Sequence, residues 1–310
     1  MLRFIVRRIL MLIPVMMGVA FIVFTMLYFT PGDPARIILG DMATQENISA
    51  LREQMGLNDP FFVQFGRYLW KVINLDLGNS YATRSPVARE IFTALPATMR
   101  LASMAILIAV GIGIPVGIIS AVKQYSWIDN LVMLLTMFGT SMPVFWLSLL
   151  LILGFALRLG WFPSSGFDSF SAMVLPSFSI AMPQIALIAR MTHSSMLEVI
   201  RQDYIRTARA KGQKKMIVIW RHALGNALIP VITVIGLSFG GLLSGAVLTE
   251  SIFSIPGVGR LMVEGIKTRD YPMVQGGVVY TAFLFCVVNL VIDIIYTFAD
   301  PRVKAQLAKR

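Results

Sequence analysis

The chain has 310 residues, of which 56% are hydrophobic and only 14% charged. Soluble domains carry about 25% charged residues, so this composition, with a mean hydropathy of +0.74, excludes an ordinary soluble fold and points to lipid as the solvent. The net charge of +11 would suit a nucleic-acid partner in a soluble protein, but its placement follows membrane topology and implies none.

In chain order, six stretches are long and apolar enough to cross a bilayer core, which needs about 20 residues per helix: residues 9–29, 96–122, 131–157, 173–191, 227–248 and 272–299. The fourth is the shortest and carries Pro176 and Pro183, while Pro14, Pro115, Pro143 and Pro230 fall in others; neighbouring helices absorb such kinks inside a membrane. The first stretch follows Arg3, Arg7 and Arg8. It is too long for a signal-peptide core and Tyr28-Phe29-Thr30-Pro31 lacks a small-residue cleavage pattern, so it reads as an uncleaved span.

Lys and Arg sort these spans by side. Fifteen lie at the N-terminus, at Lys123, between Arg201 and Arg221, and in the tail, whereas segment 30–95 balances six Lys/Arg against seven Asp/Glu. The positive-inside rule places both termini in the cytoplasm, and six spans agree. The segmentation is then 1–29 (N-terminal end and first span), 30–95 (an external cap), 96–299 (the remaining spans, with a cytoplasmic loop at 194–226) and a cytoplasmic tail, 300–310. Within the cap, Asp59-Pro60 predicts a helix start, with Phe62, Phe65, Leu69 and Val72 at helical spacing, and an earlier helix over 46–55 ends at Gly56.

Candidate sites are few. The one cysteine, Cys286, sits in an apolar run, which excludes a disulfide framework or a Cys-based metal site, and His193 and His222 lie about 29 positions apart and form no ligand pair. No metal ligand set is expected. Gly113/Gly117, Gly236/Gly240 and Gly241/Gly245 are small-xxx-small pairs that let helices approach closely, either at a pore or dimer face or within the bundle. Glu250 and Asp293 fall near span ends, where charge costs less than at the midplane. They read as structural groups or as parts of a proton relay, but no ionisable residue continues such a relay at mid-depth. A secondary carrier would need midplane coupling ligands, and an enzyme a reactive constellation; the sequence offers neither. Ser141, Met142, Pro143, Phe145 and Trp146 place a kink beside polar and aromatic side chains, which suits a cavity wall.

The longest cytoplasmic segment contains Leu197, Ile200, Tyr204 and Ala208 on one helical arc, with Gln202, Arg206 and Arg209 opposite. This predicts one amphipathic helix over 198–211, about 21 Å long, ended by Gly212. Periodicity leaves three roles open for it: lying on anionic lipid, fixing topology, or docking a protein.

Within this segment Tyr204-Ile205-Arg206-Thr207-Ala208-Arg209-Ala210-Lys211-Gly212, followed by Asn226-Ala227-Leu228-Ile229-Pro230, resembles the EAA loop of binding-protein-dependent ABC import permeases. Arg206 and Thr207 replace that motif's Glu and first Ala, a departure similar to the dipeptide, oligopeptide and nickel branch. Pro31-Gly32-Asp33-Pro34, Asp76-Leu77-Gly78-Asn79-Ser80, Glu250 to Gly259, Arg269-Asp270-Tyr271-Pro272 and Asp300-Pro301-Arg302 resemble the same branch in the same order, across nearly the whole chain. The resemblance implies an all-α, six-span type I importer permease with a small external helical cap, situated in the bacterial inner membrane as the first of two paired permeases. It implies that Tyr204, Arg206, Thr207, Ala208, Arg209, Lys211 and Gly212 couple to ATPase subunits. The implied partners are a second, homologous permease, two ATPases, an external substrate-binding protein and membrane lipid. ATP and Mg would be bound by the ATPases, because the chain has no phosphate-binding P-loop. Peptides are the implied cargo, with nickel or another metal chelate, or glutathione, as alternatives.

Overall fold

The computed structural model describes residues 2–40 and 42–299, so the expected tail at 300–310 lies outside the described residues. The chain there is helical throughout its regular structure, apart from a single bridge between Asn79 and Pro86. Helix α1 (Leu2–Tyr28) is followed by three short helices, α2 (Pro34–Leu39), α3 (Gln45–Met55) and α4 (Phe61–Ile73). Then come α5 (Val87–Val122), α6 (Trp127–Ser141), α7 (Val144–Leu151), α8 (Phe170–Ile200), α9 (Asp203–Ala210) and α10 (Lys215–Ile217). The chain ends in α11 (Leu224–Gly245), α12 (Val247–Ile252), α13 (Val258–Thr268) and α14 (Tyr271–Ala299). Among the described residues five helices are long and apolar enough to cross a membrane, and the bent pair α6–α7 makes a sixth span if counted as one.

That pair corrects one expectation. Residues 131–157 do not form a continuous helix; the two arms meet at 101°. Pro143 supplies no backbone N–H and pushes the preceding residue out of the helical region, and Met142 accordingly sits at φ −78°, ψ 123°. The second arm relaxes into a π-helical turn, Ile152–Arg158. Pro176 and Pro183, by contrast, are carried inside the 31-residue α8.

The cap helices follow local rules. Asp33 accepts from the Ala35 N–H at 3.0 Å to start α2, Thr44 starts α3, and Gly56 at φ +66° ends it, a left-handed position where glycine carries no side-chain penalty. Helix α4 starts one residue later than the sequence suggests, with Pro60 at its N-cap; Asp59 instead pairs with Arg67 at 2.6 Å. One face of α4 packs on the C-terminal end of α1, where Phe24 meets the rings of Phe61, Phe65 and Tyr68 at 5.3–5.5 Å.

The bundle centres on α5 against α8, its most extensive helix–helix contact. A β-carbon at Gly113 would lie 3.0 Å from the Ile185 carbonyl, and one at Gly117 only 2.5 Å from that of Ala189. Gly236 and Gly240 similarly admit Ile292 and Phe285 of α14, while Gly241 faces open space. The first two small-residue pairs therefore serve packing within this chain. The central core gathers Leu101, Ala105, Ala109, Ile188 and Val231.

Two buried carboxylates fasten the loops at the cap end. Glu250, 0% exposed, accepts from the Thr98 hydroxyl at 2.7 Å and from the Arg260 N–H at 3.1 Å, while Thr98 Oγ1 accepts from the Val258 N–H at 3.0 Å. A carboxylate at the first turn of α13 answers its unpaired N–H groups and its dipole. Burial pushes the Glu250 carboxyl up, opposed by the Thr98 hydroxyl and the Arg260 and Gly259 amides. Asp270 does the same for α14: it accepts from Ser80 Oγ at 2.5 Å, from the Ala82 N–H at 3.3 Å and from the Met273 N–H at 3.3 Å. At the opposite end, Asp293 pairs with Arg8 at 3.0 Å, which ties α14 to α1. Both acids weighed from sequence near the span ends thus have structural partners.

Candidate functional site

Between α8 and α11 the chain leaves the bundle, makes helix α9 and returns. The expected single helix over 198–211 is broken: α8 stops at Ile200, and Gln202, at φ −71° and ψ 149°, restarts the chain as the N-cap of α9. The break rotates α9, so its buried face is Ile205 (0% exposed) and Ala208, while Tyr204 stands half out. Ile205 and Ala208 pack against Ile118, Met196, Val218 and Ala223. They form a compact apolar seat beneath a helix of only eight residues, too short to hold its shape alone.

Two side-chain latches hold the loop to its return strand of chain. Asn226 Nδ2 donates to the Tyr204 hydroxyl at 2.8 Å, and His222 Nε2 and Gln213 Oε1 lie 2.7 Å apart. The far end of α9 closes in a Schellman arrangement. There the Gln213 N–H reaches the Ala208 carbonyl and the Gly212 N–H that of Arg209, at 3.4 and 2.9 Å, with Gly212 at φ +77°. Nothing lies within 4 Å of a β-carbon built on Gly212, so Gly212→Ala tests backbone strain alone. It should destabilise the loop by about 1 kcal/mol, read as faster amide hydrogen exchange over 203–213 with exchange in α5 unchanged.

What remains outside is a basic surface. Arg206, Thr207, Arg209 and Lys211 are exposed. The contact of Arg206 with Asp203, 3.7 Å and wholly in solvent, is too weak to occupy its charge, and among the described residues Arg209 and Lys211 have no acidic ion-pair partner. Met216 and Trp220, 63% and 49% exposed, add apolar area beside them. The residue set expected for coupling is therefore split by the fold: Ala208 seats the helix, Gly212 ends it, Tyr204 latches it, and Arg206, Thr207, Arg209 and Lys211 face outward. Sequence reasoning did not single out Gln213 and His222 as a latch, since nothing in their nine-residue separation signals contact.

Beneath the seat, Asp129 at the start of α6 is 6% exposed and gathers three elements. It accepts from Ser120 Oγ of α5 at 2.5 Å and from the Tyr125 N–H at 2.9 Å. His193 Nε2 of α8 stands 3.2 Å away, close enough for an ion pair when the ring is protonated but outside hydrogen-bond geometry. The second candidate region, Ser141, Met142, Phe145 and Trp146, lines an open, almost wholly apolar hollow of about 530 Å³ with Phe138 and Pro143. The α6–α7 bend creates it.

Comparison with known proteins places this geometry. Residues 113–305 match the family described as binding-protein-dependent transport system inner membrane component, and residues 1–102 match the N-terminal model of the same kind of component. The chain is 44% identical to the dipeptide transport system permease protein DppB of Alkalihalophilus pseudofirmus, covering 98% of this chain and 100% of the relative. It is 41% identical to the di/tripeptide permease DppB of Pseudomonas aeruginosa (99% and 100% covered) and 41% identical to the glutathione permease GsiC of Salmonella paratyphi A (98% and 99%). Among solved structures, the inward-facing MetNI methionine ABC transporter matches with a TM-score of 0.57 at 18% identity, over 69% of this chain and 98% of that one, a likeness of fold.

Proposed function

Because the chain belongs to the family of binding-protein-dependent transport system inner-membrane components, we propose that it is the permease subunit of an ATP-driven importer of di- and oligopeptides, coupled to its ATPases through α9. The observation that carries the coupling role is the division of labour on that helix. Its underside is spent on Ile205 and Ala208, its ends are latched, and its outer face is charged and largely unpaired. A helix held this firmly transmits a push to both α8 and α11. Neither lying on lipid nor fixing topology requires the two latches.

In this reading ATP and Mg belong to two separate ATPase subunits. Their closure displaces α9, and the bundle exchanges between inward- and outward-open forms, a two-state element biased by a ligand bound elsewhere. A second, homologous permease completes the pathway, a binding protein delivers cargo at the cap end, and both termini lie in the cytoplasm. The α6–α7 hollow, with Ser141, Met142, Phe145 and Trp146, is this chain's share of the pathway wall. Relatives named for dipeptides and di/tripeptides support peptide cargo, and one named for glutathione, itself a small peptide, favours that cargo as the second reading. The test is uptake by the reconstituted complex: ATP-dependent accumulation of labelled dipeptide is expected to exceed that of glutathione or a nickel chelate. Accumulation of nickel chelate alone would overturn the peptide assignment.

A further inference from the structure

Among the described residues three carboxylates are buried, those of Asp129, Glu250 and Asp270. Glu250 and Asp270 cap helices at the far end of the bundle, whereas Asp129 lies beneath the seat of α9. Its bonds reach the last turn of α5 through Ser120 and the α5–α6 turn through the Tyr125 N–H. The third group facing it is His193 of α8, whose Nε2 is buried, stands 3.2 Å from Oδ1 and meets it out of line.

This contact joins elements that nothing else in the seat joins. The seat draws on Ile118 and Ala121 of α5 and on Met196 of α8, and on no residue of α6. Ser120 lies between the two α5 residues, and His193 lies one turn before Met196. Helices α5 and α8 cannot slide apart here, since a β-carbon on Gly117 would lie 2.5 Å from the Ala189 carbonyl and 2.7 Å from Cβ of Thr192. Helix α6 is tied to α5 by the turn 123–126, and its polar link to α8 at this end runs from Asp129 to His193. The other end of α6 carries Phe138 and Ser141 into the hollow and leads to the 101° bend. A displacement of α9 and α8 therefore meets the wall of the hollow at Asp129.

The surroundings leave the strength of the contact to one proton. Asp129 is the sole ionisable side chain of α6, and α5 has none between Arg100 and its end at Val122. Helix α11 has none at all between Leu224 and Gly245. Lys123 and Tyr125 of the α5–α6 turn are exposed, as are Arg190 and Glu198 of α8 and Arg201 beyond it. On the loop Asp203, Arg206, Arg209 and Arg221 are exposed too, while His222 faces Gln213 and the Tyr204 hydroxyl faces Asn226. With side chains 16% and 9% exposed, His193 and Asp129 remain open to protons from the α9 side yet are little screened by salt. Histidine changes charge between about pH 5 and 8. A neutral ring offers Asp129 only a misaligned polar contact, whereas an imidazolium makes an enclosed ion pair. A carboxylate partner favours the imidazolium, so the contact strengthens as pH falls and fades as it rises.

We propose that Asp129 and His193 are positioning residues of the transport cycle: with His193 protonated, α6 follows α8 when α9 is displaced, and with His193 neutral, α6 lags and ATP is hydrolysed without transport. Both act through α6. This rests on the coupling role of α9 and adds to it a dependence of peptide moved per ATP on the pH at the α9 side.

The experiment uses the assembled transporter in proteoliposomes, with ATP and buffer enclosed on the ATPase side and binding protein and labelled dipeptide outside at fixed pH. Peptide accumulated per ATP hydrolysed should rise by about tenfold in the wild type as the enclosed pH falls from about 8 to about 6, the worth of a bond to a charged group. His193→Arg, charged at every pH, should keep the high ratio throughout, and His193→Gln, never charged, the low one. All three should copurify with the ATPases in equal amount, and His193→Gln should unfold at the wild-type temperature at about pH 8, where the wild-type ring is neutral too. The wild-type pH profile persisting in either variant would overturn the proposal. Arg206→Glu/Arg209→Glu, measured alongside, distinguishes the two failures. Uptake surviving that inversion would bring down the coupling reading and the proposal with it; uptake lost there, with the profile persisting in His193→Gln, would bring down the proposal alone.

Discussion

Inverting two charges on α9, Arg206→Glu with Arg209→Glu, should reduce uptake to background and release the ATPases from the purified complex, while the chain stays in the membrane in unchanged amount. Both side chains point into solvent and neither is needed by the chain's own packing, so the loss would report an interface. Charged pairs enclosed at an interface are worth about 2–5 kcal/mol on truncation of one partner, and inversion adds repulsion. Deleting 208–212 should have the same outcome for a different reason, because it removes the Ala208 contact and the Schellman closure together. The rival roles separate cleanly. If the basic face only fixed topology, the double inversion would change the protease accessibility of the loop. If it only lay on anionic lipid, neutral-lipid nanodiscs would mimic the variant.

The second large effect is expected at the other end of the molecule. Glu250→Ala leaves the Thr98 hydroxyl and the Arg260 N–H without their acceptor at a site with no exposure. At about 1–3 kcal/mol for each orphaned group, the cost should reach about 3–5 kcal/mol, among the largest single-residue effects. Glu250→Gln should cost less, since one oxygen remains, but its amide N–H₂ must then oppose a donor. Thermal unfolding in detergent reads both. Thr98→Val combined with Glu250→Gln should cost clearly less than the sum of the two single changes, because they break one network. A proton relay through Glu250 would instead predict that Glu250→Gln unfolds normally and alters only the pH profile of uptake.

The spans were legible in the sequence because bilayer thickness imposes a length and a hydropathy that local composition cannot hide. The end of α3 at Gly56 was legible as well, and the start of α4 at Asp59-Pro60 to within one residue, since capping is local chemistry. The misses share a different cause. At Arg201–Gln202 the apolar spacing of Leu197, Ile200, Tyr204 and Ala208 runs straight through a break it cannot register, and the true buried pair, Ile205 and Ala208, belongs to the rotated helix beyond it. At Met142-Pro143 a span proline reads as an absorbed kink, as at Pro176 and Pro183, yet here the helix turns through 101° while those two are carried inside α8. The hydroxyl partners of Glu250 and Asp270, Thr98 and Ser80, lie 152 and 190 residues away, a distance that no local pattern spans. The motif residues around them could be matched to a family, but their capping work is visible only once the chain is folded.

The central claim, that α9 is the docking element for the ATPase, is open to direct chemistry because the sequence contains a single cysteine, Cys286, which is buried. Thr207→Cys on the exposed face gives this chain one accessible thiol for a maleimide–benzophenone photo-cross-linker, whose photoreactive arm inserts into C–H bonds of whatever protein covers the helix and needs no second thiol. The account predicts a single adduct at the combined mass of permease and ATPase. An unmodified ATPase, with the thiol linked only to another membrane subunit or to none, would contradict it.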